Sequence, residues 1–168
     1  VAVVIQGLLG GKRVLLNSVD VLGIPGSVFF GVLHAMLAQL FFALLCTIAL
    51  MTGRGWKELV AKVAEAPPGR SWIYLMLVAG VILQLAVAAS MRHQHAGLAI
   101  PDFPLAYGRV LPPTDPSFLD QVNQRRLGVV DDAPITAFQV WLQMGHRGLA
   151  VLLVGLVWFL AFASPHEP

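Results

Sequence analysis

Apolar residues in this chain come in long runs separated by polar segments, and not in the narrow stripes of a soluble helix bundle. Three runs, Ser27 to Met51, Ser71 to Met91 and Ile135 to Ser164, each supply the ~20 residues needed to cross a hydrocarbon core. A fourth, Val1 to about Leu16, predicts the end of a span whose beginning precedes Val1. Gly23, Pro25 and Gly26 predict a turn within Asn17 to Gly26. The pattern is therefore helix, short turn, helix, loop, helix, long loop, helix, and the fold class is an all-α membrane protein, a transmembrane helix bundle.

Composition agrees with lipid as the solvent. Hydrophobic residues make up 57% of the 168 and charged residues 12%, about half the share usual in soluble domains. The net charge of +2 is too small, and the basic residues too scattered, to suggest nucleic acid as a partner. Cys46 stands alone within an apolar run and reads as a small buried residue, so neither a disulfide framework nor a thiolate cluster is available. The apolar opening at Val1 has no basic n-region, unlike a signal peptide, and implies a piece of a longer chain.

Connections 17–26 and 92–134 fall on one side of the membrane, and 52–70 falls on the other. Arg54, Lys57, Lys62 and Arg70 crowd the short 52–70 segment, and by the positive-inside rule that density favours a cytoplasmic linker. The opposite side holds more basic residues in total, with Lys12, Arg13, Arg92, Arg109, Arg125 and Arg126 spread over longer segments. Prolines 101, 104, 112, 113 and 116 preclude a regular helix in the first part of the long loop. Beyond them, Ser117 to Val130 predicts a short helix in which Phe118, Leu119, Val122 and Leu127 alternate with charged and amide side chains. An interfacial helix and a solvated loop helix both fit that pattern.

Polar groups inside spans are costly, which makes them functional candidates. His34 lies about seven residues into its helix and His146 about eleven into its own, so both sit roughly 10 to 17 Å below the same surface. Gln139, Gln143 and His146 recur at helical spacing and share one face. Gly31, Ala35 and Ala38 leave a smooth surface beside His34, open to a flat ligand or another helix, and Gln39 lies a turn deeper. A neutral imidazole among apolar helices suits haem iron, and it suits interhelical hydrogen bonding as well. Arg147 either reaches a carboxylate such as a haem propionate or snorkels outward.

Met91 to Gly108 places Arg92, His93, His95 and Asp102 where a span leaves the membrane. His93 and His95, two apart, would point to different helix faces and make a poor shared metal site. A polar lid whose Arg92 and Arg109 bind carboxylates is one reading, and an interfacial anchor using Arg92 and Tyr107 is the other.

This block, together with Gln143-Met-Gly-His-Arg147, Gln6-Gly-Leu-Leu-Gly-Gly11 and His34-Ala-Met-Leu-Ala-Gln-Leu40, resembles the haem A synthase family over nearly the whole chain. The resemblance implies eight membrane helices in two similar four-helix bundles. It implies oxidation of a methyl group of haem O to the formyl group of haem A for cytochrome oxidase, with haem b as cofactor, in a bacterial inner membrane. Haem O synthase and cytochrome oxidase assembly proteins become candidate partners beside the lipid bilayer. On that map residues 1–51 end the first bundle, 52–70 link the two, and 71–168 begin the second. His34 and His146 become haem-iron ligands, His146 for haem b and His34 for the substrate haem, with Arg147, Arg92 and Arg109 as propionate partners. The family's Glu-x-x-His-Arg is echoed by Gln143-x-x-His146-Arg147. Its acidic residue and the partner histidines are expected outside this chain, which alone would be inactive. The cysteine pair that some bacterial members carry in their loops is missing here. A bis-histidine cytochrome b subunit is the alternative. A transporter is disfavoured because no span is broken by proline.

Overall fold

The computed structural model describes residues 1–16, 18–65, 71–126 and 133–163. Asn17, Arg70, Leu127 to Val130 and Ser164, which enter the expectations above, lie outside the described residues. The chain divides into two compact units, Val1–Ile82 and Leu83–Pro168.

In the first unit α1 (Ala2–Leu15) packs against α2 (Gly26–Thr52). Lys12 and Arg13 occupy the last turn of α1, where cations favour the helix dipole. The expected turn contains a minimal hairpin, β1 (Asp20–Val21) with β2 (Ile24–Pro25), in register Asp20 to Pro25 and Val21 to Ile24. Leu22 and Gly23 at its tip both have positive φ, 56° and 77°, as a two-residue hairpin of primed type requires. Gly26 follows where the backbone doubles back. Its N–H donates to the Val19 carbonyl at 2.8 Å, and a Cβ there would fall 2.2 Å from the Leu16 carbonyl oxygen. The hydroxyls of Thr47 and Thr52 donate back to the carbonyls of Ala43 and Ile48, which satisfies them within an apolar helix. Cys46 lies exposed on α2, on a flank that faces outward with Phe42 and Leu45 and not in a core.

A helix interrupts the segment read as a basic loop. This is α3 (Trp56–Glu65), whose Trp56, Leu59, Val60 and Val63 fall at helical spacing on one side. The next span, α4 (Ser71–His93), runs 23 residues, roughly 34 Å at 1.5 Å per residue, and so exceeds a hydrocarbon core of about 30 Å. Helices α2, α4 and α6 (Ala137–Ala163) are each long and apolar enough to cross a membrane. Their outward side chains, such as Leu152 at 71% exposure, are those a bilayer would cover.

The second unit is organised around the long loop. After α4 a single 3₁₀ turn (Ala96–Leu98) leads into the proline-rich stretch, which contains a cis Phe103–Pro104 bond, and then into α5 (Pro116–Arg126). Asp115 caps α5, accepting from the Phe118 N–H at 2.9 Å and the Ser117 hydroxyl at 2.6 Å. Pro116 takes the first helical position, where its missing N–H costs nothing, so the helix begins one residue before the expected start. α5 packs one face inward and leaves Asp120, Gln121, Gln124 and Arg125 exposed. Leu119 joins a buried cluster with Ala99, Ile100, Ala106, Ile135 and Val140, and Asn123 clasps Ile135 through its N–H at 2.7 Å and its carbonyl at 3.0 Å. Thr136 and Gln139 form a reciprocal cap at the start of α6: the Thr136 N–H donates to Gln139 Oε1 at 2.8 Å and the Gln139 N–H to Thr136 Oγ1 at 3.3 Å.

Candidate functional site

The shared face of α6 faces segment 84–100. Gln139 Nε2 donates to the Gln94 carbonyl at 2.7 Å. One turn on, Gln143 is buried to 6% exposure, accepts from the Ile100 N–H at 2.8 Å and donates to the carbonyls of Gly97 and Ile100. One turn further is His146, met by the amide of Gln84 on α4. Gln84 Nε2 lies 3.1 Å from the His146 carbonyl oxygen and 3.3 Å from His146 Nε2. Among the described residues His146 Nδ1 is buried and has no hydrogen-bond partner.

A cavity of about 330 Å³ opens beside this imidazole, lined also by Ala88, Met91, Arg92, His95, Gly97 and Leu98. Arg92 and His146 are thus brought to one cavity, whereas Arg147 and Arg109 are directed elsewhere. Arg147 donates to the carbonyls of Leu105 at 2.9 Å and Asp102 at 2.8 Å, and its guanidinium lies 5.5 Å from the Phe103 ring centre. It grips the loop where a propionate was expected. Arg109 is exposed and closes a tight turn, its N–H donating to the Ala106 carbonyl at 3.1 Å and its carbonyl accepting from the Ala106 N–H at 2.7 Å. The Ser117 hydroxyl and the Phe118 N–H, and least of all the Arg109 charge, hold the Asp115 carboxyl below its ordinary value.

The loop is held from within by Asp102, whose two carboxylate oxygens accept from the N–H groups of Tyr107 and Gly108. The Gly108 N–H, and then that of Tyr107, outweigh partial burial and keep the carboxyl below its ordinary value. The Tyr107 hydroxyl donates to the Ala99 carbonyl, and burial pushes the phenol up. His95 takes a left-handed conformation, φ 54°, at the exit of α4, which separates it from the helical register of His93.

In the first unit His34 sits on α2 beside α1. Its Nδ1 is 3.1 Å from the Gln6 carbonyl oxygen, and Gln6 Nε2 donates to the His34 carbonyl at 3.0 Å. Because a carbonyl only accepts, Nδ1 carries a proton, and in the neutral imidazole Nε2 then carries the lone pair. The ring lies against Gly10, where a Cβ would come within 3.2 Å of Cε1. A hydrogen bond from Nδ1–H to a backbone carbonyl is the support that orients metal-ligating histidines.

The donor set fits a haem better than a protein-built metal cage. No three His, Cys, Asp or Glu side chains converge among the described residues, so each imidazole offers one nitrogen, which is enough for iron held by its own macrocycle. Ala88 and Gly97 form part of the lining of the His146 cavity, and there a planar group can lie close to the backbone. Gln84 was missed in the sequence, though a lone amide within the apolar run of α4 was the signal.

An all-α membrane protein with a histidine clasped by a glutamine in each of its two units is the class that this geometry defines. Residues 1–167 match the COX15-CtaA family, described as cytochrome oxidase assembly protein, and the chain belongs to that family. It is also similar to the heme A synthase of Shewanella oneidensis, 31% identical over 101 residues that cover 58% of this chain and 29% of that protein. The chain thus spans less than a third of the length of the curated relative it matches. No solved structure matches.

Proposed function

We propose that this chain is the central part of a haem A synthase, which oxidises a methyl group of haem O to a formyl group for cytochrome oxidase in a bacterial inner membrane. The family match over residues 1–167 carries the reading, and the likeness to a heme A synthase supports it. His146 would hold the iron of a haem b cofactor, and His34 would serve the substrate haem. Bound haem iron would supply the redox chemistry, and the residues of this chain bind, orient and exclude water. Arg92 lines the cavity beside His146 and would meet a carboxylate of a group bound there, with Ala88 and Gly97 leaving room for it. Arg147 acts at one remove, fixing the loop whose Gly97 and Leu98 form part of that lining. Residues 1–51 would complete one four-helix bundle and 71–168 begin the second, joined by a cytoplasmic linker, and the acidic residue and partner histidines come from helices beyond this sequence. Haem O synthase would deliver the substrate.

The test uses the full-length protein. His146→Ala is expected to abolish or shift the haem b spectrum, while His34→Ala spares it and impairs retention or conversion of haem O. Recovery of haem b alone from a preparation in which haem O is co-produced would instead favour an electron-transferring cytochrome b subunit.

A further inference from the structure

Gln84 faces His146 with its amide nitrogen, at 3.1 Å from the carbonyl oxygen and 3.3 Å from Nε2. The first contact fixes the amide. A backbone carbonyl can only accept, so the NH₂ end of Gln84 must point toward it, and the second hydrogen of that NH₂ is left for the ring. An NH₂ group donates and does not accept. Nε2 of His146 must therefore carry its lone pair, and the ring proton resides on Nδ1, the buried nitrogen. The other end of the amide, Gln84 Oε1, is buried with no hydrogen-bond partner among the described residues, as expected if both interactions run through the nitrogen.

At the other histidine a glutamine side chain again meets the histidine's carbonyl, but the ring is met by a backbone carbonyl instead. Gln6 on α1 donates its amide to the carbonyl of His34, and its Oε1 is likewise buried with no partner among the described residues. There the proton is fixed on Nδ1 by the Gln6 carbonyl itself. Two glutamines on two different helices thus hold two histidines in one tautomer, with the lone pair on Nε2.

We propose that Gln84 is a positioning residue that keeps His146 in the Nδ1–H tautomer before haem arrives, its N–H held at Nε2, the nitrogen that would ligate iron. Nε2 would hold haem iron through the same lone pair that one N–H of Gln84 meets in the haem-free protein. The second N–H stays on the His146 carbonyl, so the side chain is released from the ring without being left unsatisfied. No proton has to leave Nε2, since none is there. This rests on the reading of His146 as an iron ligand, but the tautomer is fixed in the haem-free protein and can be read there.

The test compares Gln84→Leu and Gln84→Glu in the full-length protein, prepared without haem, labelled with ¹⁵N-histidine and assigned by the signal lost in His146→Ala. The native protein should show a pyridine-like Nε2 and a pyrrole-like Nδ1. Gln84→Glu places an oxygen against Nε2 and should reverse the two. Gln84→Leu should leave a mixture, and because leucine suits a membrane helix this variant decides the matter even if the glutamate variant fails to insert. Titrating haem b should then give at least about tenfold weaker binding for Gln84→Glu than for Gln84→Leu, since a proton and a hydrogen bond must be removed first. The same tautomer in all three proteins, or equal haem binding by both variants, would overturn the proposal. Haem binding unaffected by His146→Ala would defeat the ligand reading, leaving the tautomer measurement to decide the role of Gln84.

Discussion

Replacing Gln143 with leucine removes one side chain and strands three backbone groups. The native amide is 6% exposed and serves the Ile100 N–H at 2.8 Å and the carbonyls of Gly97 and Ile100 at 3.2 and 3.4 Å. Leucine matches its bulk, so the loss is one of hydrogen bonding and not of volume. A buried donor left unsatisfied costs about 1–3 kcal/mol, and the longer carbonyl contacts contribute less, so local destabilisation of about 2 kcal/mol is expected. That corresponds to roughly thirtyfold easier opening of this part of the loop. Hydrogen exchange at the Ile100 amide reads it directly, because this N–H is the one that loses its acceptor. In the full-length protein, Gln143→Leu should accelerate exchange at Ile100 by about that factor while the N–H groups in the middle of α2 remain unchanged. Unaltered exchange at Ile100 would mean that the glutamine does not carry the loop, and the argument from satisfied buried groups would fail.

Gly10→Ala should push the His34 ring out of place, because the new methyl would lie 3.2 Å from Cε1, whereas Gly11→Ala, with nothing within 4 Å, should leave it undisturbed. The ¹⁵N-histidine spectrum of the two variants checks this. Arg147→Lys should loosen the loop, since an ammonium cannot reproduce two guanidinium bonds to Leu105 and Asp102, and faster proteolysis near Phe103 would reveal it. Asp102 gives the loop a pH dependence: with a folded value lowered from 3.8, its stabilisation is complete above that unfolded value and is lost as pH falls through the folded one. Exchange at the Tyr107 and Gly108 amides should therefore rise, relative to the intrinsic rate, only below about pH 4, and Asp102→Asn should raise it at neutral pH.

The spans were legible because each is a long apolar window, and length alone separates them from loops. Helix α3 was not, since Arg54, Lys57 and Lys62 dominated the reading of its segment although Trp56, Leu59, Val60 and Val63 mark one helix face. The hairpin has two residues per strand, too few to show alternation. At the site, the common face of Gln139, Gln143 and His146 could be read from spacing, but what it meets could not. Gln94, Ile100 and Gln84 lie 43 to 62 residues away in sequence, and local patterns carry no information at that range. For the same reason Arg147 could be seen as a buried charge without its partners being the carbonyls of Asp102 and Leu105.

The bonds from Gln139, Gln143 and Arg147 to the 94–105 stretch bear on how the molecule is made. Every one of them joins residues 42 to 46 positions apart, and in each the later partner belongs to α6. During synthesis the proline-rich loop emerges with its carbonyls still facing water, and it is fastened only when α6 has been threaded into the bilayer. Closing such a loop adds little entropy per residue, so the delay reflects order of appearance and not a large barrier. Insertion of the last described span therefore completes the fold of a loop made before it, and a released chain truncated before Gln139 should leave that loop open to protease.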